Sequence, residues 1–225
     1  MTWLDQLYQK RFVIFIISLV AVLFGDLVFP DEIYEKVFGP VFLILNVLAG
    51  ILLIIRNKKN KRIFIGLLSV IILTHLGEET GMSKAQSMSY IRFAMFFLFF
   101  ALVTLEVISQ VWRSAHVDPT VILGVMSGYI CLGLLGFFLF LSIDIIEPGS
   151  FSGIREGGAT TIRGRQDMLY FSYITLLTIG YGEMLPTSDL AKNAAVLLGL
   201  LGQFYMVIIT AIVVGKFLSQ KPKQE

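Results

Sequence analysis

Charge is scarce in this chain: 15% of its 225 residues are Asp, Glu, Lys or Arg, against 56% hydrophobic, and the mean hydropathy is +0.80. A soluble domain carries about 25% charged residues, so the composition excludes that class and indicates an integral membrane protein. Cysteine is nearly absent as well. Cys131 alone excludes an intrachain disulfide, and its place inside an apolar stretch reads as a small buried hydrophobe. A net charge of +2 gives no reason to expect a nucleic-acid partner. Internal repeats, the usual mark of transporters built from paired halves, are also missing.

What the chain does have is long apolar runs. A helix needs about 20 mainly apolar residues to cross roughly 30 Å of hydrocarbon. Six runs qualify as transmembrane helices of an all-α membrane protein: Phe12–Phe29, Phe38–Ile55, Ile63–Leu76 (the shortest), Phe93–Trp112, Val121–Ile146 and Ala191–Leu218. The first lacks a small-residue cleavage site and is expected to stay as a helix. Basic residues are retained on the cytoplasmic side of short loops. Arg56, Lys58, Lys59, Lys61 and Arg62, between the second and third runs, therefore place that loop inside. Lys10, Arg11, Arg113, Lys216, Lys221 and Lys223 then also fall inside, and Asp31, Glu32, Glu35, Glu78 and Glu79 outside. The expectation is a multi-pass protein of the plasma (inner) membrane with both termini cytoplasmic. The connection from Glu147 to Leu190 is then extracellular.

That connection holds the most informative residues. Its first part, Glu147 to Gly153, reads as a flexible outer turret, followed by a Gly-rich run with Arg155, Arg163 and Arg165. Asp167 to Thr178 runs about three helical turns without Gly or Pro, with Asp167 an acceptable N-cap. Next comes Thr178-Ile179-Gly180-Tyr181-Gly182-Glu183. Stripping water from a cation requires several oxygens aimed at one axis, whereas successive carbonyls of an ordinary strand point to alternate sides. Glycines at alternate positions lift that restriction, because Gly180 and Gly182 take left-handed angles at little steric cost. The carbonyls of Thr178, Ile179, Gly180 and Tyr181, together with the Thr178 hydroxyl, would then line one path. Non-helical backbone at membrane depth is tolerated only where it is buried in protein or lines a watery cavity.

On these residues the chain resembles the tetrameric potassium channels, as a bacterial six-span member, over roughly Asp118 to Leu218. The stretch Tyr170 to Thr187 is similar to their pore loop, and Leu200 to Tyr205 to their inner helix. The resemblance implies a K⁺-selective passive channel, not an enzyme, with K⁺ as permeant ion, no cofactor, and four copies around one pore. It implies a re-entrant pore helix, a filter at Thr178, Ile179, Gly180, Tyr181 and Gly182, and a Tyr181 side chain turned from the axis to pack on the pore helix. Pro186 would lie in the outer loop beyond the filter. Gly202, or Gly199 one turn earlier, would be a hinge, and Gln203 or Met206, Thr210, and Val213 or Val214 would line the inner cavity. The domains would be 1–116 (four helices), 117–220 (pore) and 221–225 (tail), too short a tail for a ligand-sensing domain.

Some residues depart from the family pattern. Glu183 stands where Asp is usual, Leu177 replaces a frequent Thr, and Tyr170 and Phe171 occupy the places of two tryptophans. Phe171 has no donor for the acidic residue, so Tyr170 or Tyr173 hydroxyls are the expected substitutes. The fourth run contains no basic residue, only Arg92 and Arg113 at its ends and Glu106 within. A helix without gating charge gains nothing from the field, which supplies about 2.3 kcal/mol per charge per 100 mV. Strong voltage dependence is therefore not expected, and the short link from Arg113 to Pro119 agrees. Asp26, His75 and Asp144 read as interfacial, and Asn46, His75 or an arginine at a helix end as the partner of Glu106, with proton sensing at Glu106 the competing reading. The phenylalanines from Phe93 to Phe100 read as packing or lipid-facing surface. The basic loop from Arg56 to Arg62 is a topology signal and a candidate contact for anionic lipids. Two other functions compete: a non-conducting, pore-like membrane subunit or sensor, and a proton-coupled transporter using Asp26, Glu106 and Asp144.

Overall fold

The computed structural model describes residues 3–30, 33–54, 58–79, 86–114, 116–155 and 157–220, and within them the side chains of 74–79 and 86–90, among others, are not described. The helices are α1 (Trp3–Gln9), α2 (Arg11–Phe24), α3 (Gly39–Ile54), α4 (Lys58–Glu79), α5 (Gln86–Arg113), α6 (Pro119–Ile146), α7 (Ile162–Leu176), α8 (Asp189–Phe204) and α9 (Thr210–Leu218). Single turns of 3₁₀-helix occupy Gly25–Leu27 and Gly158–Thr160, and π-turns occupy Tyr34–Phe38 and Tyr205–Ile209. Two short strands, β1 (Phe151–Ser152) and β2 (Leu185–Pro186), pair antiparallel with Phe151 opposite Pro186.

Among the described residues three helical stretches are long and apolar enough to cross a membrane: Ile91–Arg113, Pro119–Ile146 and Asp189–Leu218. Gly39–Ile54 and Arg62–Leu73 are shorter apolar helices. Arg56 lies outside the described residues, as do the side chains of Lys58, Lys59, Lys61 and His75; Arg62 is exposed.

The chain forms two compact units, each assembled from separate stretches. In the first (Met1–Lys61, Val103–Ile130 and Phe204–Glu225), α2 packs on α3. The buried Phe12, Phe15 and Leu19 repeat at helical spacing and form one apolar stripe. α3 presents Val47, Ala49, Gly50, Leu53 and Ile54. Asn46 is fully buried, and its Nδ2 donates to Ser18 Oγ at 3.0 Å while Ser18 Oγ donates to the Phe15 carbonyl. The expected pairing of Asn46 with Glu106 is therefore corrected: Glu106 Oε1 accepts from Gln110 Nε2 at 3.1 Å, one turn away on its own helix.

In the second unit (Arg62–Leu102 and Cys131–Gln203) aromatic packing dominates. Phe93, Phe96, Phe99 and Phe100 are buried. Phe96 and Phe100 stack on Phe138 with centroids 4.9 and 5.5 Å apart, and Phe64 meets Phe99 edge-on. This stretch is thus packing surface. Such offset and edge arrangements suit the ring quadrupoles. Cys131 is buried and free among the described residues.

Candidate functional site

The stretch from Gly149 to Ser188 lies wholly in the second unit and is built around α7. The sequence places the start of that helix at Asp167; the structure starts it at Ile162, with Thr161 as N-cap, its Oγ1 accepting from Gly164 N at 3.1 Å. Asp167 does not cap because a distant cation claims it. Its two carboxylate oxygens accept from the Arg155 guanidinium at 2.6 to 3.1 Å and from the Arg155 backbone N–H at 3.0 Å. Burial alone would raise the Asp167 pKa, but the Arg155 hydrogen bonds and charge outweigh it and hold the carboxyl below its ordinary value.

The turret is not the flexible loop expected from its glycines. It is tied to the chain beyond the hexapeptide by the β1–β2 pair, by Thr187 N–H donating to the Ser150 carbonyl at 2.8 Å, and by Thr187 Oγ1 donating to the Gly149 carbonyl at 2.7 Å. Phe140, Phe151 and Phe171 form a cluster beneath, with centroids 5.1 to 5.5 Å apart. Asp144, read as interfacial, is instead buried at the end of α6, where its Oδ2 accepts from Ala159 N at 2.8 Å. α7 sits close against α6, where buried Ser172 Oγ donates to the Gly133 carbonyl at 2.6 Å.

The end of α7 sets the backbone of the hexapeptide. Ile179 N–H donates to the Ile174 carbonyl at 2.8 Å and Thr178 N–H to the Thr175 carbonyl at 3.1 Å. These are the two bonds of a Schellman ending, in which the residue after the cap adopts a left-handed conformation. That residue is usually glycine; here it is Thr178, with φ +57°. For a β-branched residue this is a rare conformation, costing about 1–2 kcal/mol. Gly180 follows at φ +56° and Gly182 at φ +93°, while Ile179 and Tyr181 keep negative φ. Left-handed angles therefore recur at every second residue from Thr178 to Gly182.

Residues 149–219 match the ion channel family model. Over 86 residues the chain is similar to potassium voltage-gated channel subfamily A member 2 of Oncorhynchus mykiss (25% identical) and to members 10 and 4 of Homo sapiens (26% each). The shared stretch is 38% of this chain and 17%, 17% and 13% of those relatives, so the chain spans about a sixth or less of the length of the curated relatives it matches. No solved structure gives a significant match. The match and the relatives together show that this part of the chain is similar to ion channels, voltage-gated potassium channels among them.

Within residues 149–219 the other singled-out residues fall as follows. The Tyr170 hydroxyl hydrogen-bonds Glu183, and that bond, with the Glu183 charge, pushes the phenol up to about 12. Phe171 stays in the aromatic cluster, and Tyr173 lies against Gly133, where any added Cβ would collide with its ring. Leu177 and Ile179 are about half exposed and Tyr181 is 73% exposed. The expected packing of Tyr181 against α7 is thus not made within one chain.

The helix after the hexapeptide begins at a Ser188 cap, whose Oγ accepts from Ala191 N at 3.2 Å. It stays α-helical through Gly199 and Gly202 and changes to a π-turn at Tyr205–Ile209. Gly202 is buried under Leu176: an added Cβ would stand 2.7 Å from Leu176 Cδ1 and 3.0 Å from its carbonyl oxygen. Gly199 has nothing within 4 Å. Beyond the glycines, in the first unit, the Tyr205 hydroxyl donates to the Val125 carbonyl at 2.7 Å. Gln203, Met206, Thr210 and Val214 are exposed and Val213 half-exposed. No group of three or more metal-binding side chains is found among the described residues.

Sequence reasoning missed Arg155 as the partner of Asp167, Thr161 as the cap, and the strained Thr178. Thr161 carried a local signal, a threonine three residues ahead of Gly164 in a run otherwise lacking a cap. Arg155 carried none, since its partner lies 12 residues further along the chain, inside α7.

Proposed function

We propose that the chain is a K⁺-selective passive channel of the plasma (inner) membrane, with both termini cytoplasmic, working as a homotetramer. The observation that carries this reading is the alternation of left-handed φ at Thr178, Gly180 and Gly182, starting from the C-terminal end of α7. One chain supplies one wall of oxygens, and a dehydrated cation needs them on all sides, so four copies of Thr178, Ile179, Gly180, Tyr181 and Gly182 complete the path. The carbonyl end of the α7 dipole favours a cation beneath it. Exposure of Tyr181, Leu177 and most of the helix over Asp189–Leu218 suits surfaces covered by neighbouring copies and lipid.

In this reading Tyr170 and Glu183 brace the outer filter. Gly202 or Gly199 serves as the hinge, Gln203, Met206 and Thr210 line the cavity, and Arg56, Lys58, Lys59, Lys61 and Arg62 touch anionic lipids. Gating is not strongly voltage-dependent, because no Lys or Arg lies within Phe93–Trp112.

The test is reconstitution into liposomes with K⁺ and Na⁺ flux measured at several voltages. K⁺ flux without Na⁺ flux, varying little with voltage, is expected. Equal fluxes would overturn the selectivity, and a steep voltage response would overturn the gating claim. Native mass spectrometry of the extracted protein is expected to give four copies.

A further inference from the structure

The helix over Asp189–Leu218 changes its winding part-way: it is α-helical except at Tyr205–Ile209, where one π-turn takes in an extra residue. Such turns are rare and concentrate at functional sites. Nothing in the run Tyr-Met-Val-Ile-Ile demands one, since it contains neither Gly nor Pro.

The turn is held from both sides by groups outside its own helix, all within the first unit. At its start the Tyr205 hydroxyl donates to the Val125 carbonyl at 2.7 Å, entering a notch in α6 where a Cβ on Gly128 would collide with it. Beyond its end, Lys216 Nζ donates to the carbonyls of Val111, Trp112 and Ser114 at 3.3, 2.5 and 2.8 Å. Val111 and Trp112 lie in the last turn of α5, whose carbonyls lack partners inside their own helix. The ammonium also meets the negative end of that helix's dipole.

Relaxing the π-turn to α-helix with Tyr205 fixed takes one residue out of the count. Each later place is then filled by the residue before it, after a turn of about 100° and a shift of about 1.5 Å. Ile209 is the one buried residue from Met206 to Leu218, and Ile208 would take its place, isoleucine for isoleucine. Five residues on, Val213 would take the place of Val214, valine for valine. Burial therefore does not choose between the two registers. At other places the exchange is not silent. Ile209 would take the exposed place of Thr210, and Gly215 would take the place of Lys216, with no side chain to reach α5.

From this pattern we infer that Tyr205–Ile209 is a register switch: the helix beyond it has two registers one residue apart, and Lys216 is the positioning residue that holds the π register through the end of α5. Its hold on α5 decides whether Thr210 or Ile209 stands at one place on the exposed face. In the proposed channel that face lines the cavity, so the π register presents a hydroxyl and the α register a hydrocarbon surface of the kind that closes pores by dewetting. That consequence rests on the channel reading; the two registers stand without it.

The test is the reaction of single introduced cysteines with methyl methanethiosulfonate in the detergent-extracted full chain, on a Cys131→Ala background. Thr210→Cys is expected to react about tenfold faster than Ile209→Cys, because position 210 is exposed and 209 is buried. Lys216→Met should reverse that order, and Lys216→Arg, which keeps the charge and the donors, should retain it. Deleting Val207, an exposed residue of the π-turn, removes the extra residue itself. In the Lys216→Met chain that deletion should restore Thr210→Cys as the faster site, which a general loss of stability would not do. In liposomes Lys216→Met should lower K⁺ flux about fivefold, and the deletion should bring it back. An unchanged labelling order in Lys216→Met, or a reversal that the deletion does not undo, would overturn the inference. Reversed labelling in a chain whose parent carries no K⁺ would overturn the channel reading and leave the register switch in place.

Discussion

The segment from Gly149 to Ser188 and the helix from Asp189 to Leu218 satisfy their surfaces in opposite ways. The first is irregular yet tied to itself by a two-strand ladder, the Arg155–Asp167 pair, a capped helix and an aromatic cluster. The second is regular yet mostly uncovered, with Leu197, Leu200, Phe204, Val207 and Phe217 about half exposed or more. Irregular backbone must find its hydrogen-bond partners locally, whereas a helix satisfies its own and is free to leave its apolar side for a neighbour. The outer segment is therefore a device that one chain completes alone. The helix leaves an apolar side uncovered.

The strongest way to break this contrast is at the proposed filter. Gly180→Ala is expected to reduce K⁺ flux in liposomes below detection, with the melting temperature of the extracted protein little changed. At φ +56° a side chain is strained even though space around the position is open. Retained selective flux would show that the alternation is not what conducts.

Next comes the tie between turret and α7. Arg155→Gln leaves the Asp167 carboxylate, only 10% exposed, without its main partner. A loss of about 1–3 kcal/mol in stability is expected. The pH dependence has a definite sign. Asp167 has a lowered folded pKa, so its contribution is complete above the unfolded value of about 3.9 and is lost as pH falls through the folded value. Denaturant midpoints followed down through that acid window should fall more steeply for the native chain than for Asp167→Asn.

The two inner-helix glycines sharpen the comparison at smaller cost. Gly202→Ala drives a methyl into the Leu176 carbonyl and should destabilise by about 1–3 kcal/mol. Gly199→Ala meets nothing and should stabilise by up to about 1 kcal/mol through helix propensity. Equal effects in thermal melts would mean that close approach to Leu176 is not why Gly202 is glycine. The smallest expected change is Tyr170→Phe, in which an ultraviolet pH titration should lose one phenol ionising at about 12 while the fold is kept.

Much of the segment similar to ion channels was legible in the sequence because glycine and hydrophobic length carry local meaning. Three of the apolar runs fall in the helices long enough to span, and Gly180 and Gly182 have the left-handed angles that only glycine adopts freely. The start of α7 was misread because Asp167 has the same side chain whether it caps a helix or binds an arginine 12 residues earlier. Nothing local distinguishes the two. The left-handed Thr178 was hidden for the converse reason: propensity argues against it, and only the two hydrogen bonds that end α7 explain it. The π-turn at Tyr205–Ile209 likewise has no sequence mark, since its residues suit an ordinary helix.

Thr178 both closes a helix and begins the alternation of left-handed angles. The length of α7 is consequently a ruler for everything after it. One residue added to that helix would lift the first carbonyl by about 1.5 Å and swing it by about 100°. Under the proposed function, an insertion that a surface loop would absorb without notice would here turn these carbonyls away from those of the other copies, so this segment could vary in composition far more readily than in count.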